Sequence, residues 1–152
     1  MSRASKISAV FDAAAAVTLR AVTDGAETST ATETAISLNE LDDAYWHNGE
    51  IPNGVFEVWL NVTALNLSTN TYVFSLLADD VSTVNDTPTT VVSQAITAVG
   101  VYKFLVDSKT LAALDTESSG TDKWLAAKMT IAGTPDSPSI TYGAWLGKVV
   151  SA

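Results

Sequence analysis

Cysteine does not occur anywhere in the 152 residues. Disulfides, thiolate zinc sites and cysteine nucleophiles are therefore excluded. Cations are scarce too: no Lys or Arg lies between Arg20 and Lys103, a span that holds eleven carboxylates. Nucleic acid is bound by neutralising its phosphates, so a surface built from that span repels DNA and RNA. The net charge of −9 has two readings: it keeps the chain soluble, or it faces a basic protein surface. Long apolar runs are missing as well, none approaching the ~20 residues that cross a bilayer. The opening "MSRASKISAVFDAAAAVTLRA" imitates a signal peptide in part, but Asp12 interrupts its apolar stretch and Arg20 follows closely. Neither a membrane partner nor export is expected.

What is present points to strands. Ser and Thr together supply 35 residues, and charged residues only 16%, below the usual quarter. The 22 alanines pull towards helix, so the decision falls to periodicity. In "VFEVWLNVTAL" (55–65), Phe56, Val58, Leu60 and Val62 fall on one face, with Glu57, Trp59, Asn61 and Thr63 on the other. Such alternation is the mark of a half-buried strand. A slip of one residue would bury Glu57 and expose the apolar set, so the register is well specified.

The same reading applies to "AVTLRAV" (16–22), with Val17, Leu19 and Ala21 inward and Thr18 and Arg20 outward. It extends to "TAISL" (34–38), "TYVFSLLA" (71–78), "TVVSQAITAV" (90–99) and "VYKFLV" (101–106). The close join at Val99 and Gly100 predicts a tight hairpin. "KWLAAKMTIA" (123–132) and "SITYGAWLGKV" (139–149) are expected to pair across the turn Gly133–Pro138. Helix is confined to a turn at 11–16 and one or two turns at 108–115. About eight short strands without helix alternation predict an all-β chain: one antiparallel two-sheet sandwich or barrel spanning residues 1–152.

Chemistry is sparse. His47 is the one histidine, and near Asp42, Asp43 and Glu50 it permits a Ser–His–Asp arrangement only arithmetically, since no nucleophile-elbow motif accompanies it. Asp42–Asp43 and Asp79–Asp80 are adjacent pairs whose side chains point to opposite faces of a strand end, ill suited to sharing a proton or ion. The EF-hand spacing is absent; the least unsuitable calcium ligands are Asp115, Glu117 and Asp122. No catalytic, metal or cofactor site is expected, and the sequons at Asn61, Asn66 and Asn85 are what a Thr-rich chain yields by chance. Aromatics remain. Trp59 lies on the polar side of its strand, Tyr45 and Trp46 sit in the acidic stretch 39–54, and Trp145 shares a face with Gly143 and Gly147. Each is either covered by its own chain or serves as a protein–protein anchor, where Trp and Tyr are enriched.

Taken in order, these segments resemble a family of small jelly-roll capsid cement (decoration) proteins of tailed bacteriophages. The resemblance lies in "FDAAAAVTLRAVTDGAETSTATETAISL", in "GVYKFLVDSKTL" and in the closing "WLAAKMTIAGTPDSPSITYGAWLG". It covers most of the chain except 39–54. It implies a jelly-roll sandwich and a non-enzymatic role on the outer surface of the virion. There the protein would bind major capsid subunits and bridge them as a homodimer or homotrimer, with multivalency raising the effective concentration at each next site. Trp59, Trp145, Tyr45 and Trp46 are the candidate interface residues. The competing reading is a carbohydrate- or receptor-binding sandwich of a phage tail or adhesin, with Tyr45, Trp46 and Asn48 stacking on and hydrogen-bonding to sugar.

Overall fold

In the computed structural model, residues 18–37, 55–107, 124–133 and 137–148 are described. They form ten strands: β1 Thr18–Arg20, β2 Ala26–Glu27, β3 Ala31–Thr32, β4 Ile36–Ser37, β5 Val55–Leu65, β6 Asn70–Asp79, β7 Thr89–Ile96, β8 Gly100–Asp107, β9 Trp124–Gly133 and β10 Ile140–Lys148. One 3-10 turn, Val22–Asp24, is the only helical element among the described residues. Both five-stranded sheets are antiparallel. The first runs β1-β10-β5-β8 with β2 also on β10, and the second runs β3-β9-β6-β7 with β4 also on β9.

The four short strands act as two. β1 and β2 lie along β10, and β3 and β4 along β9. Counted that way, eight strands pair first with last, second with seventh, third with sixth and fourth with fifth, the last two pairs being β5–β8 and β6–β7. This nesting is a long antiparallel ribbon folded across itself, the jelly-roll order. It makes the sandwich jelly-roll in type, as the sequence led us to expect.

Two expected pairings are corrected. β7 and β8 do not form a hairpin at Val99–Gly100, because β7 belongs to the second sheet and β8 to the first. β9 and β10 likewise lie in opposite sheets. Both joins cross the sandwich. The physical reason is that each strand finds a long antiparallel partner elsewhere, β7 and β9 on β6 and β8 and β10 on β5, and a short join serves a crossing as well as a hairpin.

The crossings are held by specific bonds. Where β5 passes to β6 through Asn66–Thr69, the Asn66 amide N–H donates to the Ser139 carbonyl at 2.9 Å. The Asn66 side chain donates to the Ser137 carbonyl at 2.9 Å. Tyr72, buried in the core, donates its hydroxyl to the Asn66 carbonyl at 2.6 Å and accepts from the Ser139 N–H at 2.9 Å. Thus the turn before the last strand is not a hairpin loop; it is stitched to the earlier crossing at the same end of the sandwich.

The core lies between the sheets. Val58, Leu60 and Val62 of β5 are buried as their alternation requires, although the Phe56 side chain falls outside the description. Across from them, Phe74 stacks on Phe104 with centroids 5.9 Å apart and meets Tyr142 edge-on at 6.3 Å. A smaller cluster of Leu77, Val84 and Ala126 sits on the outward side of the second sheet. Val84 comes from the segment between β6 and β7, which folds back over the sheet. The backbone of that segment is held by Asp79, whose carboxylate accepts from the N–H groups of Asp80 at 2.8 Å and Asp86 at 3.0 Å.

Candidate protein-binding face

The outward side of the first sheet gathers two of the four candidate residues. Trp59 of β5 stands beside Trp145 of β10 on one flank and Lys103 of β8 on the other, each as its direct cross-strand partner. Strand alternation puts all three side chains on the face away from the core. Both tryptophans are half-buried. The Trp59 indole N–H donates to Glu57 Oε2 at 3.0 Å. Lys103 Nζ lies 5.6 Å from the Trp59 ring centroid and 3.6 Å from Glu57 Oε1. Trp59, Glu57 and Lys103 thus form one linked set. The cation–π contact and ion pair draw the lysine ammonium towards β5.

This face is not uniform. Towards β1 it is closed by the 3-10 turn: a methyl at Gly143 would come 2.5 Å from Val22 Cγ2 and 3.3 Å from the Val22 nitrogen. Gly143 is thus small because the turn packs on it. Towards β8 the face is open. Val101 is 61% and Leu105 63% exposed, with Val99 at 59% in the turn just before the strand.

Tyr45, Trp46, His47 and Asn48 lie outside the described residues, as do Asp42, Asp43, Glu50, Asp115, Glu117 and Asp122. The short helical turns expected at 11–16 and 108–115 are outside them too. Among the described residues no three of His, Asp and Glu come together in a way that would hold a metal ion.

One charged cluster was invisible to the alternation argument. Arg20, expected to point outward, is 5% exposed. The register of β1 against β10 shifts between Thr18 and Arg20, so Leu19 and Arg20 are both buried. The guanidinium donates from Nη1 to Glu27 Oε1 at 2.7 Å and Glu33 Oε1 at 2.5 Å, and from Nη2 to the Gly25 carbonyl at 2.8 Å. Its carbon lies 4.7 Å from the centre of the Tyr142 ring, and the Tyr142 hydroxyl donates to Glu33 at 3.3 Å. One cation therefore ties the segment from β1 to just past β3 onto β10.

Burial pushes the Glu33 carboxyl above its ordinary range, with Arg20 pulling partly the other way. Burial and the neighbouring Glu33 raise the Tyr142 phenol far above the usual tyrosine value, so it stays neutral and able to donate. The available signal in the sequence was the isolation of Arg20 among carboxylates; the bulge that turns it inward leaves no local mark.

No protein-family model, curated protein or solved structure matches the chain. The fold defines the class: an all-β sandwich of two antiparallel five-stranded sheets.

Proposed function

We propose that this chain is a virion structural protein of the cement type, binding the outer surface of an assembled phage capsid as a homo-oligomer and bridging major capsid subunits. The observation that carries the reading is the outward face of the first sheet, where Trp59 and Trp145 adjoin the open apolar strand β8. Aromatic anchors surrounded by apolar and charge-paired neighbours suit a protein contact. The jelly-roll strand order agrees with the resemblance noted in the sequence, and the acidic balance suits a basic partner surface. A role of this kind needs no catalytic centre.

The carbohydrate reading draws less support from this face. Sugar stacking needs a bare indole, whereas Lys103 lies over the Trp59 ring. Cosedimentation of the purified protein with undecorated tailed-phage capsids, scored with the capsid melting temperature, tests the proposal. Saturable binding with a raised capsid melting temperature is expected. Failure to bind capsids, together with selective binding on a glycan array, would replace it with the carbohydrate reading.

A further inference from the structure

β8 is the outer strand of the first sheet: it pairs with β5 on one side and, among the described residues, with no strand on the other. An open strand edge presents alternating donors and acceptors and is a template for another strand unless it is guarded. The usual guard is a lysine reaching out beyond the edge. Here Lys103 sits at mid-strand, but its ammonium is drawn back over the sheet to Glu57 and Trp59. The edge is left without its charged guard.

Three of the five exposed large hydrophobic side chains among the described residues fall within this short stretch: Val99, Val101 and Leu105. From Val99 to Val106 there is no carboxylate, in a chain whose net charge is −9. The strand's own side chains therefore add no negative charge to the repulsion between two acidic copies.

We propose that β8 is the homodimer interface: two copies join antiparallel, edge to edge, through β8 about a two-fold axis, making one continuous eight-stranded layer from β1-β10-β5-β8 and its symmetry mate. The antiparallel arrangement makes the edge self-complementary, since each exposed N–H meets a carbonyl of the same strand in the other copy. Centred on Lys103, the pairing sets Val101 of one copy opposite Leu105 of the second, twice, on the outward face. The two lysines then face each other across the axis. Such like-charge opposition is unfavourable, and the Glu57 partner of each offsets it. The inference deepens the cement reading, on whose homo-oligomer it rests, by naming the surface and the symmetry.

The test uses the whole chain in the absence of capsids. Sedimentation equilibrium across micromolar to millimolar concentration should give a reversible dimer. Val101→Lys and Leu105→Lys, each of which sets a lysine opposite an apolar side chain of the second copy and diagonal to its Lys103, should each weaken it by about tenfold or more. Hydrogen exchange of the unsubstituted protein should slow in β8 amides as concentration rises, a readout independent of whether the variants fold. A monomer throughout, a trimer, a dimer indifferent to both substitutions, or a dimer without added β8 protection would each overturn the proposal. Capsid cosedimentation is scored separately, so a monomer that still binds capsids removes the edge dimer and leaves the cement reading standing.

Discussion

Arg20 and Trp59 occupy opposite ends of the range of environments that one sheet offers. Arg20 is a buried cation whose partners are two carboxylates of its own chain. Taking it away would strand Glu27 and Glu33 without their counter-charge. Arg20→Met is expected to lower stability by about 3 kcal/mol, as breaking a buried pair does. The loss should depend on pH. Glu33 has a raised folded pKa, so its contribution to stability is fully present below the ordinary carboxylate value and is lost as pH rises through the raised one. In Arg20→Met the lowering influence of the guanidinium is gone and that window extends further upward. Denaturant melts at stepped pH should find the variant's deficit smaller in acid than at neutrality, while Glu33→Gln flattens the slope in the wild-type chain. A deficit that grows in acid would contradict this account.

Trp59 is half-buried and borders on partners that are themselves partly solvated. Full burial makes a Trp→Ala change cost about 3–5 kcal/mol, so Trp59→Ala should cost the isolated protein about 2 kcal/mol. Its effect on capsid association should be at least as large, as for a central anchor. Melts and cosedimentation on the same variant separate the two. A stability loss with capsid binding intact would make Trp59 a packing residue only.

At the scale of elements, the decisive features are the places where a strand leaves one sheet for the other. Gly133 ends β9 with φ +121, a backbone conformation that residues with a Cβ avoid. A methyl there would also collide with the Thr69 carbonyl oxygen, in the neighbouring crossing. Gly133→Ala is expected to destabilise by about 3 kcal/mol or more, from backbone strain and overpacking together. A thermal melt within a degree or two of wild type would argue that the two crossings are not rigidly joined.

These crossings also explain what the sequence made legible and what it hid. Alternation in 55–65 correctly identified Val58, Leu60 and Val62 as core and Trp59 as outward, because side-chain period is a local property of the strand. Whether β7 and β8 pair with each other is not local. A short turn containing Gly100 serves a hairpin or a sheet crossing equally, and the choice depends on which other strands the two segments find. The join before β10 hides its partners for the same reason: Ser137 and Ser139 bond to Asn66 and Tyr72, more than sixty residues earlier. Alternation put Trp145 on one face with Gly143 and Gly147, without saying which face is outward; the opposite set, Tyr142, Ala144 and Leu146, is the buried one. The reason for Gly143 in particular, the turn at Val22, became visible only when β1 was placed against β10.

For the whole molecule, two contributions to partner binding are separable by salt. The outward face of the first sheet offers apolar and aromatic area whose burial is nearly indifferent to ionic strength. The surplus of carboxylates, −9 overall, acts through a field that salt screens, with a Debye length of about 10 Å at 0.1 M falling to about 3 Å at 1 M. If a basic capsid surface is the partner, affinity should drop as salt rises while some binding persists at the highest salt. Trp59→Ala should then lower affinity by a similar factor at every salt concentration and leave the salt slope unchanged, because it removes contact area and no charge. Glu57→Gln should do the reverse: it frees the positive charge of Lys103 on that face and should reduce both the affinity at low salt and the slope. Titrating undecorated capsids with wild type and the two variants across this salt range gives all three slopes in one experiment. Wild-type binding that is unaffected by salt would eliminate the electrostatic half of the argument. A Trp59→Ala variant that changed only the slope would eliminate the other half.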